Sequence, residues 1–292
     1  MARRSFFKPA FWAGVVLFAA GMAAGALWDL PLDHALYAPA SLPAILMEAF
    51  GYYPLYLPAA GLALCAMADK RLALPWRALC GCAALAGCAA LAWHSLTGLR
   101  RRGAPMPALF TCAVWLLLAV GGALALRRVG ASAARFGRAR FVCFWGTVYF
   151  AAELIAINLL KLVWARTRFD DMLAAGDFFP LHQLASALWA GRLQLSVRPH
   201  GLCLRHFFML LIVCDVSARF ARRRGLVWVV CWAYVAGMAL SRMVMGRHFL
   251  SDTVMAAGVM AVLFLALTHT GAYRKSLAAT LAFADTPPGS AP

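Results

Sequence analysis

The sequence predicts an all-α fold, a polytopic membrane helix bundle of about eight transmembrane helices at roughly twenty apolar residues per ~30 Å crossing. Three observations carry this reading. Hydrophobic residues make up 64% of the chain and charged ones only 13%, far from soluble-domain composition. The apolar residues gather into runs of membrane-spanning length, and the basic residues gather between the runs.

In chain order the runs fall near 11–28, 45–67, 73–96, 106–126, 141–165, 202–219, 226–245 and 249–270. The first follows the basic start MARRSFFK and ends in AAGAL; with seven runs behind it, a retained signal anchor is preferred over a cleaved signal peptide. Pro43, Glu48, Gly51, Tyr52, Tyr53 and Pro54 interrupt the second run, whose first half fits the membrane interface as well as its interior. The closing TPPGSAP reads as a disordered tail.

Formal net charge is +17, which in a soluble protein would point to nucleic acid. Here it reads as topology, and no nucleic-acid partner is expected. Basic clusters at Arg3, Arg4 and Lys8, at Lys70, Arg71 and Arg77, at Arg127 to Arg140, at Arg222 to Arg224 and at Arg274 and Lys275 all become cytoplasmic if the N-terminus is inside. Arg100 to Arg102 break the pattern: they serve an external site or acidic lipid, or they mark a different span count. The same topology brings 166–200 and 241–252 together on the outer face, periplasmic in a bacterial inner membrane. Nine cysteines lie almost wholly inside apolar runs and read as packing residues, with no spacing for a metal site or disulfide framework.

The chemistry is concentrated in LSRMVMGRHFLSD, 240–252. His248 and Asp252 are four apart, so on a helix they share a face, and Asp252 can accept a hydrogen bond from one ring nitrogen of His248. The other nitrogen is then the nucleophile. Arg242 lies six residues before His248, and Gly246 permits a sharp turn between them. An oriented nucleophile beside a guanidinium suits attack on phosphorus. In KLVWARTR, Lys161 and Arg168 are seven apart, two helical turns, and singly read as interfacial anchors. With Arg242 they can close around three phosphate oxygens, a cage needing no metal or other cofactor.

Ser241, Arg242, His248 and Asp252 fill S-R-x5-H-x3-D, which resembles the third motif of the type-2 phosphatidic acid phosphatase superfamily, membrane lipid phosphatases related to vanadium haloperoxidases. Lys161 to Arg168 resembles the first motif, K-x6-R-P, with Phe169 in place of proline. The resemblance covers about 73–270 and implies an N-terminal transmembrane extension (1–72), a six-helix phosphatase-like core (73–272) and a cytoplasmic tail (273–292). It further implies that Lys161, Arg168 and Arg242 hold phosphate, that His248 becomes phosphohistidine, and that Asp252 orients it. The implied partner is a lipid phosphate or polyprenyl diphosphate in the membrane, handled by hydrolysis or phosphotransfer.

The family's second motif, P-S-G-H, is altered. Pro199-His200-Gly201-Leu202 puts His200 at the serine position and Leu202 where the acid belongs. His206, one helical turn after Leu202, is the preferred replacement acid and His200 the other candidate. Arg198 and Arg205 are candidates for added phosphate contacts. The altered motif equally suits a non-catalytic relative that binds or moves an anionic lipid. Phe178, Phe179, Leu181, Leu184, Leu188 and Trp189 suggest a short amphipathic helix at the interface, with a packed outer loop as the alternative. Asp170, Asp171 and Asp177 would line the mouth, engaging a substrate amine or nearby arginines. Glu153 reads as a structural partner, and Asp215 with Arg219, four apart, as a self-satisfying pair.

Overall fold

A computed structural model describes residues 3–103, 107–130, 132–164, 168–175, 208 and 210–285. Apart from short turns, the described residues are helical: α1 Arg3–Leu36, α2 Leu42–Phe50, α3 Tyr53–Ala68, α4 Leu74–Arg101, α5 Pro107–Gly130 and α6 Ala133–Trp164. They continue with α7 Phe169–Ala175, α8 Leu210–Val216, α9 Ala218–Ala221, α10 Arg224–Val244, α11 Leu250–His269 and α12 Gly271–Asp285.

Among the described residues, six segments are long and apolar enough to cross a membrane: Phe11–Leu36, Leu74–Arg101, Ala108–Gly130, Ala133–Leu160, Arg224–Val244 and Leu250–His269. Their large apolar side chains stay exposed within the protein, as at Leu17, Leu85, Trp93 and Leu117, which suits lipid. The described residues are therefore those of a helical, multi-pass membrane protein.

Two expected spans do not appear as single long helices. The 45–67 run is split at Gly51 and Tyr52 into α2 and α3, and Pro54 in the first turn of α3 supports the break, since proline fits a helix start. The remaining apolar piece, Tyr56–Ala68, is short. Of 202–219, the described residues are 208 and 210–219, and their helices α8 and α9 are interrupted where Ser217 is extended (φ −130°, ψ 112°).

The chain divides into two compact units. The first comprises 1–44, 153–204 and 235–262. Within it α1 and α11 pack with little room between their backbones. A Cβ built on Gly25 would lie 2.6 Å from Ser251 Cβ, and one on Gly21 would lie 3.0 Å from the Val254 side chain. Gly258 receives the Phe18 ring, where a Cβ would meet it at 2.5 Å. Small residues four apart permit such close helix crossing in lipid. Next to this crossing, Phe169, Met172 and Phe249 form a buried cluster joined by Leu30 and Tyr37.

The second unit comprises 45–152, 205–234 and 263–292. It is held by polar ties inside an apolar frame. Tyr53 Oη and Ser95 Oγ are 2.6 Å apart, Ser95 donates to the Ala49 carbonyl (2.8 Å), and Trp115 Nε1 donates to Tyr53 Oη (3.1 Å). Phe208 stacks edge-on against Trp232 with ring centroids 5.2 Å apart. Arg102 reaches Glu48 at 3.4 Å, so one member of the basic triplet that broke the charge pattern ends on an acid. Asp215 pairs with Arg224 (2.8 Å) and accepts from Tyr273 Oη (2.7 Å), replacing the expected pairing with Arg219, which is exposed.

Candidate functional site

The end of α10 sets the geometry. Gly246 has φ +65°, a left-handed backbone that glycine adopts without cost. The Gly246 amide donates to the Met243 carbonyl (2.8 Å) and the Arg247 amide to the Arg242 carbonyl (2.8 Å). These two bonds are the Schellman closure of a helix end, satisfying carbonyls that have no helical partner. Arg242 is thereby fixed in the last turn of α10, and it is buried. Space is short as well, since a Cβ at position 246 would lie 2.7 Å from Tyr37 Cε2.

His248 follows the turn and precedes α11, which begins at Leu250. The expected shared helical face with Asp252 is therefore corrected: His248 sits before the helix and Asp252 in its first turn. Asp252 Oδ2 accepts the Phe249 amide proton at 3.1 Å, the reach-back half of a capping box. A carboxylate in this turn is favoured by the helix dipole. His248, Ser251 and Asp252 are all buried.

The segment carrying Arg168 meets the same loop. Arg168 stands immediately before α7, and its carbonyl accepts the Met172 amide proton at 2.8 Å. The next donor, the Asp170 amide, bonds the Gly246 carbonyl at 3.0 Å, and the Asp170 carboxylate pairs with Arg247 at 2.9 Å. Burial pushes the Asp170 carboxyl above the ordinary carboxylate range; Arg247 opposes the rise, Asp171 adds to it and Arg168 opposes it. Asp170 thus engages an arginine, one of its two expected roles.

Phe169, which stands where the resembled motif has proline, is fully buried. Its ring meets His34, Tyr37 and Phe249 with centroids 4.9, 5.3 and 6.3 Å apart. Proline would fix the backbone there; here edge-to-face aromatic packing anchors the segment instead.

The structure thus brings Arg168, Arg242, His248 and Asp252 into one compact unit. Position 161 lies in the last turn of α6, while the Lys161 side chain is outside the described residues. Arg198, His200, Leu202, Arg205 and His206, together with Asp177 and the expected amphipathic stretch, also lie outside them. Glu153, on α6 in the same unit, is buried.

The N-terminal helix supplies residues that the sequence reading missed. Asp29 and Asp33 of α1 are buried, and Asp29 Oδ1 accepts the Ser251 amide proton at 3.0 Å while its Oδ2 accepts the Ser251 hydroxyl. The Ala38 amide bonds the Val244 carbonyl at 2.9 Å, adding α1's exit to the α10 end. The available signal was WDLPLDH, two acids one helical turn apart just past an acid-free apolar run.

No family model matches the chain, and no curated protein or solved structure matches it.

Proposed function

We propose that the protein is a metal-independent membrane lipid phosphatase or phosphotransferase, with eight crossings and its site at the outer face. The observation that carries this reading is the junction of Arg168's segment with the His248 loop, through the Asp170–Gly246 hydrogen bond (3.0 Å) and the Asp170–Arg247 ion pair (2.9 Å). These contacts support the reading by tying the segment that carries Arg168 to the loop between Arg242 and His248. With eight crossings and the N-terminus inside, the positive-inside rule would place this loop outside.

In the proposed reaction, Lys161, Arg168 and Arg242 hold the phosphoryl oxygens and disperse their charge. His248 attacks phosphorus as the P–O bond to the lipid breaks, and the leaving oxygen takes a proton from His206 or His200. Water then attacks the phosphorus of phosphohistidine, the P–N bond breaks, and inorganic phosphate leaves. A second lipid alcohol in place of water gives transfer. Polyprenyl diphosphate, phosphatidylglycerol phosphate, phosphatidate and lipid A phosphates all present the required group.

The test is phosphate release by purified protein, in chelator, from a panel of these lipids. His248→Ala lowers it more than ~100-fold, and His206→Ala or His200→Ala lowers it less, identifying the acid. The leucine at position 202 favours a second reading, an anionic-lipid binder or transporter that keeps the cage without turnover. No release from any lipid, with binding that depends on Arg242, would establish that reading.

A further inference from the structure

We propose that Asp29 of the N-terminal helix is a positioning residue for His248, acting through Ser251, so that α1 is a working part of the site. The kinetic half of this inference rests on the phosphatase reading; the structural half does not.

A carboxylate inside a membrane-spanning helix is costly to keep, and it persists where it has a specific partner. Asp29 is 3% exposed and lies within the Phe11–Leu36 span. Its partner is the start of another helix. Ser251 is the second residue of α11, where backbone amides have no helical acceptor. Asp29 satisfies one of those amides at 3.0 Å and also takes the Ser251 hydroxyl. Asp252 satisfies a second amide, that of Phe249, from within α11.

His248 is the residue immediately before this doubly capped start. On its other side the Schellman closure at Gly246 fixes the chain, and Phe249 on its C-terminal side is locked in the aromatic cluster with Phe169. Of these constraints only the Asp29 contact comes from the N-terminal helix by way of a charged side chain. The close crossing of α1 and α11 enforces it. Gly25, one turn before Asp29, would place a Cβ 2.8 Å from the Ser251 backbone nitrogen, so α1 can approach closely enough for Asp29 to reach that amide.

The consequence for chemistry is geometric. A nucleophile displaced by about 1 Å loses on the order of a hundredfold in rate, so a cap that fixes the chain three residues on acts on kcat before it acts on KM.

The experiment uses full-length protein in detergent or nanodiscs, with Asp29→Asn, Asp29→Ala and Ser251→Ala, and Asp215→Asn of the other unit as a control for general loss of stability. Two readouts are taken on the folded fraction. One is the kcat and KM of phosphate release. The other is the rate at which diethyl pyrocarbonate modifies His248, followed by mass spectrometry, which needs no turnover.

Asp29→Ala is expected to lower kcat about tenfold or more with KM little changed, and to raise His248 modification severalfold. Asp29→Asn, which keeps an acceptor, and Ser251→Ala, which keeps the amide, fall between wild type and Asp29→Ala. Asp215→Asn changes neither readout. Altered His248 modification in a protein that hydrolyses no lipid would sustain the positioning role and remove the phosphatase reading. Wild-type kcat and His248 modification in folded Asp29→Ala would overturn the positioning role, whatever the enzyme does. Should Asp29→Ala fail to fold, Ser251→Ala and Asp29→Asn decide the matter by the same criteria.

Discussion

The two compact units use their acids in different ways. In the second unit, described acids end on cations: Glu48 on Arg102, Asp69 on Arg140 and Asp215 on Arg224. In the first, Asp29 and Asp252 hold main-chain amides at the start of α11, and Asp170 adds an ion pair to a loop whose carbonyl it already engages through its amide. Asp69 also accepts the Arg71 amide proton in its own turn (3.0 Å), but the ion pairs of the second unit join separate segments by charge, while the acids of the first shape the backbone that presents His248. Glycines repeat the contrast: Gly21, Gly25 and Gly258 lie against neighbouring atoms, whereas Gly87, Gly98, Gly121 and Gly122 have open space beside them.

The largest expected effect comes from Gly246→Ala. It combines a left-handed backbone, which costs an ordinary residue roughly 1–2 kcal/mol, with a methyl 2.7 Å from the Tyr37 ring. Thermal unfolding in detergent should show a loss of about 2 kcal/mol or more, with phosphate release abolished. An unchanged melting temperature would show that the turn is not closed as described.

Gly25→Ala against Gly87→Ala sharpens the comparison between units. The first pushes a methyl into the Ser251 backbone and should destabilise by about 1–3 kcal/mol. The second meets nothing within 4 Å in α4 and should stabilise by about 0.5–1 kcal/mol through helix propensity. Equal melting temperatures for the two variants would remove the distinction.

Asp215→Asn weakens the Arg224 contact and alters the Tyr273 hydrogen bond, for a loss of about 1–3 kcal/mol. Activity per folded molecule should stay at wild type, because that acid serves its own unit. A specific loss of turnover would break the division of labour.

Asp170→Asn is the mildest. Folding raises the Asp170 pKa, chiefly by burial, so the native state keeps this proton where the unfolded chain has lost it. The resulting stabilisation is present below the ordinary carboxylate range and is lost as pH rises through the raised value. At neutral pH the amide should therefore leave stability within about 1 kcal/mol, despite the lost Arg247 pair. The wild-type melting temperature should also fall more than the variant's between acid and neutral pH; parallel profiles would contradict this.

The helical membrane fold was plain in the sequence, because lipid demands internally bonded backbone and twenty-residue apolar runs announce it. Arg242, His248 and Asp252 stood out for the same reason, as charges at the edge of apolar runs. What sequence could not give was the pairing of Asp29 with Ser251, which lie 222 residues apart. The first apolar run was read as ending at 28, one residue short of that acid, so α1 looked like an appendage. Nor could periodicity show that His248 precedes its helix, since a four-residue spacing to Asp252 is the same before and after a helix start. Phe169 looked like a defect in a motif until its neighbours His34 and Tyr37 were in place. The split of 45–67, by contrast, was written in Gly51, Tyr52 and Pro54.

The most direct measurement of the central claim is capture of the intermediate. Purified protein is mixed with a lipid substrate carrying labelled phosphate, quenched in alkali, digested and analysed by mass spectrometry. Label that is stable in alkali, lost in acid, confined to the peptide bearing His248 and absent from His248→Ala is the predicted result. Steady phosphate release with no label on His248, or equal labelling of His248→Ala, would contradict a phosphohistidine mechanism at this site.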